Sequence, residues 1–344
     1  MSVGYVPVQW TRAKKRYDKF LFWLIVVFVV VFVVLTSVFN PNVSPETLLI
    51  RTTAVLALLL LHIILSIGPL SRIDKRYLPL LYNRRHLGVI MFIVALIHGV
   101  FSMIWFHAYG DVSILRSLFM SNMEYGSFPN FPFQVLGFFT LIILFLMAAS
   151  SHDFWLAHLS PKMWKALHMF VYIAYLLVFM HVMLGAFQVE TSPILLILLG
   201  LGMLTLICLH LIAAYKERRR DAEKLEMAEE EWLKVCDASD IEDTRAHVCN
   251  VEGERVAIFK YDGKLSAISN VCKHQNGPLG EGKVVDGCVT CPWHGFQYVA
   301  EKGMAPPPFT EKISTYNLKL QGNTIFISPK ANPEGTYVEP TKLD

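Results

Sequence analysis

Six apolar runs, at roughly residues 20–39, 49–70, 86–108, 131–150, 166–187 and 193–215, constrain this chain more than any other feature. Each approaches or exceeds the about 20 residues that a helix needs to cross the hydrocarbon core of a membrane. In lipid the backbone must satisfy its own hydrogen bonds within the segment, so runs of this length form helices. The breaks between them carry turn chemistry, as in NPNVSP, EYGSFPNFP and VETSP. Composition agrees: 54% of the 344 residues are hydrophobic and only 17% charged, too little charge for a soluble domain of this size. The apolar excess is confined to residues 20–215, while residues 216–344 have ordinary soluble texture. The expected fold class is a multi-domain membrane protein, a six-helix transmembrane bundle joined to a small all-β domain.

Basic residues orient the bundle, because they favour the cytoplasmic side. They gather in the N-terminal segment 1–19 (Arg12, Lys14, Lys15, Arg16, Lys19), in the loop 71–85 (Arg72, Lys75, Arg76, Arg84, Arg85), in the loop 151–165 (Lys162, Lys165) and after the last run (Lys216, Arg218, Arg219, Arg220). The opposite loops hold Arg51 and Arg116. With six helices all four basic regions share one face, which places both termini in the cytoplasm and the protein in the cytoplasmic (inner) membrane. The first run is too long for a signal h-region and lacks a small-residue cleavage site, so it is expected to stay. Six cysteines without secretory spacing argue against a disulfide scaffold. Membrane lipid is an expected partner; nucleic acid is not.

Ionisable residues within membrane helices mark function by default. The third run carries His86, His98 and His107, and the fifth His168 and His181. At about 1.5 Å per residue, His86 and His98 lie about 18 Å apart, and His168 and His181 about 19.5 Å. One helix separates these two, so they run parallel and their histidines meet at two similar depths. Two levels of facing imidazoles suit b-type haems, each taking one axial ligand from either helix. A single intramembrane histidine more often bonds a neighbouring helix, and His62, His107, His152, His158 and His210, without such partners, are assigned to packing. At about 100° per residue, spacings of 12 and 13 do not return to one helix face, so two haems here need different tilts.

The runs RRHLGVIMFIVALIHG and MWKALHMFVYIAYLLVFMHV resemble the ferric-reductase-like transmembrane family, which includes NADPH oxidases, ferric reductases and the MsrQ haem subunits. The resemblance spans residues 50–215 and is nearest to the MsrQ type. It implies haem ligation at His98, His168 and His181. Aligned on Gly88, the family's first ligand falls near Arg84 and not on His86. A rotated haem using His86 and a single haem are both left open.

After the bundle comes KERRRDAEKLEMAEEE, read as a charged helical linker over 216–231. Its basic half suits anionic headgroups. Beyond Trp232 short alternating runs indicate a small antiparallel β domain over 232–330, with a hairpin at Asp262-Gly263 and no helix through MAPPPF. Residues 331–344 read as a loose polar tail. Within the β domain, Cys272-x-His274 and Cys291-x-x-His294 are separated by 16 residues, each pair beside Gly or Pro. The count fits structural zinc, but zinc fingers pair Cys with Cys and His with His. One Cys and one His from each loop is the pattern of a Rieske [2Fe–2S] centre, Cys272 and Cys291 on one iron and His274 and His294 on the other.

That segment, with CPWHGFQY, resembles Rieske ferredoxins of the dioxygenase electron-transfer type over residues 232–330. Respiratory-chain members carry an extra cysteine pair where this chain has Gly277 and Trp293, and a Ser where it has Phe296, while Tyr298 is kept. The resemblance therefore implies a cluster without a loop disulfide, suited to a reducing cytoplasm. Fewer hydrogen bonds to sulfur also imply a potential low in the Rieske range of about −150 to +300 mV. Cys208, Cys236, Cys249 and Cys288 are assigned to small buried hydrophobes.

No Gly-rich dinucleotide fingerprint opens a strand–helix unit, so the cluster domain stands where the family ordinarily has flavin and nicotinamide domains. The expected function is transmembrane electron transfer. A soluble NAD(P)H-dependent reductase donates to the cluster, one or two b haems follow, and an extracytoplasmic redox acceptor is reduced. The alternative runs from membrane quinol inward to a soluble oxygenase. A third reading, zinc in a membrane sensor, has no use for colour.

Overall fold

The computed structural model describes residues 12–152, 155, 158–189, 193–223, 225–229, 232–293 and 295–343. The chain forms two compact units: Arg12–Ile67 with Asn83–Leu209, and Gly68–Tyr82 with His210–Asp344.

The first unit is helical. Its elements are α1 (Arg12–Phe39), most of α2 (Pro45–Ile73), α4 (Arg84–His107), α5 (Ile114–Met120), α6 (Phe133–Ser150), α7 (Pro161–Met169), α8 (Val171–Val189) and the first half of α9 (Ile194–Ala222). Among the described residues, six stretches are long and apolar enough to cross a membrane: Lys15–Phe39, Pro45–Ile73, Arg84–His107, Phe133–Ser150, Lys162–Gly185 and Leu196–Ala222. Phe20, Phe22, Trp23 and Val27 are more than half exposed on α1, as a lipid-facing surface requires. Helix starts follow local chemistry. Ser160 accepts a hydrogen bond from the Met163 N–H at 3.3 Å, and Pro161 opens α7 at a position whose N–H has no partner to lose.

The fifth apolar run is broken where the sequence suggests one helix. At Phe170 the backbone ladder slips, its N–H reaching the Leu167 carbonyl at 3.1 Å, three residues back instead of four. Glycines let α6 and α8 approach. A Cβ on Gly185 would lie 2.9 Å from the Phe133 ring, and one on Gly137 2.8 Å from the His181 ring. His107 is buried and bridges Ser117 Oγ and Gln134 Oε1, both at 2.9 Å, which pins α5 to α6.

The second unit is built on β-sheets, with the short helix α3 (Leu78–Leu81) in its first segment. One sheet has the order β1 (Glu226–Glu229), β2 (Trp232–Asp237), β11 (Thr324–Ile327), β10 (Leu318–Gln321). The second runs β12 (Thr341–Lys342), β5 (Lys264–Ser269), β4 (Glu254–Tyr261), β3 (Ala246–Val251), with β9 (Thr315–Tyr316) also on β5. A third small sheet has β6 (Lys283–Val285), β7 (Cys288–Thr290) and β8 (Gln297–Val299). The β4–β5 turn places Asp262 at φ 47° and Gly263 at φ 68°, the left-handed pair that an Asp-Gly hairpin demands. Val256, Ala257, Ile258 and Phe259 are all fully buried, so β4 packs on both faces between two cores.

Two segments differ from the sequence reading. The linker is helical only to Ala222, where Asn250 Nδ2 donates to the Asp221 carbonyl at 2.6 Å and takes one acceptor at the helix end. Its acidic half pairs instead as β1 along the edge of β2, Met227 opposite Leu233, covering an edge that would otherwise be open. The C-terminal tail is strapped down. Gly335 N–H donates to Ile313 O (3.1 Å), Val338 N–H to Glu301 O (2.8 Å), and Thr341 pairs with Leu265.

Candidate metal centre

Two loops bring Cys272 and Cys291 together. The first leaves β5 through Asn270, and there Asn276 N–H donates to Cys272 O (2.7 Å) and Cys272 N–H to Gly277 O (2.9 Å). The second leaves β7, closed by Cys291 N–H to Phe296 O (2.8 Å) and Gly295 N–H to Cys291 O (2.9 Å). Asn276 (φ 59°) and Gly295 (φ 74°) make the two reversals. Each cysteine is 1% exposed. The hydrogen bond from Cys291 holds the Cys272 thiol below its ordinary value against burial, and the N–H groups of His274 and Gln275 and the Tyr298 hydroxyl act in the same direction.

Tyr298, on β8, accepts from the Lys273 N–H at 3.0 Å and has its hydroxyl 3.8 Å from Cys272 Sγ. Burial, then the adjacent Cys272, pushes its own ionisation upward, so it stays a donor. The His274 ring stacks on Phe296 with centroids 4.8 Å apart and planes 5° from parallel. His294 lies outside the described residues. Gly277 matters sterically: a Cβ there would stand 2.7 Å from Cys291 Sγ and 3.2 Å from the Trp293 ring. Two buried cysteines side by side, one pulled toward thiolate, an imidazole held by stacking and a glycine cradle form a donor set that fits an iron–sulfur cluster.

The remaining cysteines divide. Cys249 and Cys288 are buried; burial pushes their thiols up to about 12 and about 11. Cys236 is half-buried and its thiol is pushed up to about 11, first by burial and then by Asp240 and Asp237. Cys208 departs from the sequence reading, since it is exposed on α9, where an apolar solvent accepts a thiol without burial in protein. Cys236 is protonated below its raised value, so its alkylation by iodoacetamide is expected to be negligible at pH 7.5 and to climb about tenfold per pH unit toward 11. A pH-rate profile by mass spectrometry checks this; fast labelling at pH 7.5 would contradict it.

The histidines of the helical unit fall into distinct settings. His98 on α4 and His181 on α8 face each other, ring centroids 6.3 Å apart and planes 76° from parallel. Each donates its Nδ1 proton to a carbonyl, His98 to Ile50 O (3.1 Å) and His181 to Phe133 O (2.9 Å). That fixes both tautomers and, among the described residues, leaves both Nε2 lone pairs for a ligand. A metal about 2 Å from each of two imidazole nitrogens holds their rings roughly 6 Å apart, so this pair fits a haem iron.

His86 is turned to α1, its Nδ1 3.0 Å from Asp18 Oδ1. His168 is turned toward the end of α6: Nδ1 donates to Trp164 O (3.0 Å), the ring stacks on Trp164 at 3.8 Å, and Nε2 stands 3.5 Å from Ser151 Oγ. His62 has both nitrogens occupied, by Leu58 O (2.9 Å) and the Tyr175 hydroxyl (3.0 Å). The carbonyls of Ile50 and Phe133, and Asp18, carry no sequence signal, because backbone acceptors and distant partners are set by packing.

Comparison with known proteins gives two family matches. Residues 51–179 match the ferric reductase like transmembrane component, and residues 231–317 match the Rieske [2Fe-2S] domain. The 3-phenylpropionate/cinnamic acid dioxygenase ferredoxin subunit of Shigella flexneri is 36% identical over 81 residues, 23% of this chain and 76% of its own length. The alkene monooxygenase ferredoxin component of Xanthobacter autotrophicus is 29% identical over 105 residues, 30% of this chain and 86% of its own. The solved Sphingomonas yanoikuyae B1 ferredoxin aligns at TM-score 0.26 with 24% identity, over 28% of this chain and 96% of its own. A buried Cys272–Cys291 pair on two closed loops, within a domain that spans three-quarters of a 36% identical ferredoxin, decides the question. The chain belongs to the Rieske [2Fe–2S] family through its β domain, which it joins to a ferric-reductase-like transmembrane component.

Proposed function

We propose that this protein carries electrons from a soluble NAD(P)H-dependent reductase, through the [2Fe–2S] cluster and a b haem, to an acceptor on the far side of the membrane. The observation that carries this reading is the His98–His181 pair, 6.3 Å apart and with each Nδ1 tied to a carbonyl, His98 within the ferric-reductase-like segment 51–179 and His181 two residues beyond it, in a chain that also bears a cluster domain. A bound haem b supplies a one-electron carrier. The chain's own part is to hold two imidazoles in fixed tautomers, to leave room at Gly137, and to exclude water with the apolar faces of α4, α6 and α8. His86 belongs to the contact with Asp18, and the facing pair accounts for one haem. Both termini lie on the cytoplasmic face in this reading, where the basic residues gather.

Cys272, Cys291, His274 and His294 hold the cluster. Phe296 offers it no hydroxyl, whereas Tyr298 does. Loss of a hydrogen bond worth about 0.5–1.5 kcal/mol destabilises the reduced cluster, so Tyr298→Phe is expected to lower its midpoint by about 20–65 mV. Anaerobic titration followed by EPR measures this shift, and an unchanged midpoint would remove Tyr298 from the tuning of the cluster.

The same titration, followed also by haem absorption, tests the whole proposal. The expected result is one Rieske signal, haem absorption, and a cluster midpoint at or below that of the haem. A cluster well above the haem would reverse the direction of flow, toward a soluble oxygenase. Protein lacking both signals would end the electron-transfer reading.

A further inference from the structure

We infer that the segment Gly68–Tyr82 is a fixed seat for the cluster domain, with Tyr82 as a positioning residue for the loop that bears Cys291. The seat meets the supports of both ligand loops. The Tyr82 hydroxyl donates to Thr290 O at 3.3 Å, and Thr290 is the buried residue immediately before Cys291. The Lys283 ammonium lies over the Tyr82 ring, 5.9 Å from its centroid, and Lys283 pairs with Thr290 across β6 and β7.

Arg72 Nε donates to Glu281 Oε1 at 3.3 Å. Glu281 ends the short turn that begins at Leu279, whose N–H donates to Asn270 O at 2.8 Å, two residues before Cys272. A third support reaches the same place from α9. Glu217 and Asp221 accept from the Arg255 guanidinium, at 2.8 Å and 2.7 Å, and the Arg255 carbonyl accepts from the Asn270 N–H at 2.8 Å. Lys216 Nζ, one residue before Glu217, donates to Ile73 O at 2.7 Å and ties α9 to the seat itself.

Contacts at one surface can arise without consequence, but these converge. Each leads to a residue within two of a cluster cysteine, and two start from Gly68–Tyr82, Arg72 in the last turn of α2 and Tyr82 after α3. Residues 68–82, the end of α9 and the supports of both ligand loops therefore form one packed unit. Tyr82 also acts on the site chemically: its hydroxyl neutralises the Thr290 carbonyl dipole beside Cys291, which favours the extra negative charge of the reduced state.

The test uses the full-length protein in nanodiscs, with Tyr82→Phe, Arg72→Glu, Glu281→Arg and the Arg72→Glu/Glu281→Arg pair. Hydrogen–deuterium exchange over residues 270–291 is expected to rise about fivefold in Tyr82→Phe, the loss of about one hydrogen bond, and more in either charge reversal. The charge-swapped pair should return toward wild type, and exchange in β10 and β11 should not change in any variant. Tyr82→Phe should also lower the cluster midpoint, which a merely structural contact would not do. Wild-type exchange in Tyr82→Phe and Arg72→Glu, or no recovery in the swapped pair, overturns the seat. A shifted exchange with an unmoved midpoint overturns the positioning role. The midpoint readout rests on the cluster reading above and the exchange readout does not, so a protein without a Rieske signal fails the former and leaves the latter standing. Should Arg72→Glu fail to fold, Tyr82→Phe carries the test alone.

Discussion

His181→Ala is expected to yield protein that inserts and folds but holds almost no haem. The imidazole supplies one of two facing nitrogens, and its Nδ1 is already tied to Phe133 O at 2.9 Å, so ring and tautomer are arranged before any ligand arrives. Changes to supporting groups alone typically cost 10- to 100-fold in metal affinity; deletion of a ligand is expected to exceed about 100-fold. His98→Ala should do the same, because neither α4 nor α8 offers a second imidazole at that depth among the described residues. His86→Ala should leave haem content near wild type, since His86 faces Asp18. Haem per protein by pyridine haemochrome, with the Soret band for spin state, reads all three. Full haem content in His181→Ala, or its loss in His86→Ala, would remove the assignment. Gly137→Ala is a milder companion: its Cβ would stand 2.8 Å from the His181 ring and displace it without deleting the ligand.

Cys291→Ser should abolish the Rieske EPR signal and loosen the whole β domain. Cys291 is 1% exposed, its loop closes on its own carbonyl, and Cys272 leans on its sulfur. Without the cluster the same buried space holds polar groups whose partner has gone. Loss of a bound metal centre belongs among the substitutions that exceed about 4 kcal/mol. For a domain near 100 residues this corresponds to a fall in its unfolding temperature of roughly 15 °C or more. The helical unit has its own core, in Leu60, Leu61, Leu87 and Leu184, so haem at His98 and His181 should survive. Near-ultraviolet circular dichroism during heating, with haem absorption alongside, separates the two units. An unmoved β-domain transition would show that the fold does not lean on the cluster.

Much of this architecture is legible in the sequence alone. Six long apolar runs could only become helices in lipid, and Asp262-Gly263 could only be a tight hairpin. The Cys-x-His and Cys-x-x-His spacing pointed to the Rieske domain that residues 231–317 match. Where the reading missed, the cause was a partner distant in sequence. Residues 226–229 look helical by composition, yet the exposed edge of β2 recruits them as a strand. Residues 331–344 look loose, yet Ile313, Glu301 and Leu265 hold them. Tyr82 reads as one more residue in a basic loop, and only folding sets its hydroxyl against Thr290, 208 positions away.

The histidines show the division most clearly. The sequence alone determined that the third apolar run (α4) and the fifth (α7 and α8) carry imidazoles at similar spacings, because rise per residue is a property of the backbone and needs no neighbours. It could not decide which of them meet. Ring direction depends on each helix's rotation and tilt, and these are set by close approaches such as Gly137 against His181 and Gly185 against Phe133. Tertiary packing turned His98 and His181 toward each other and gave His86 to Asp18.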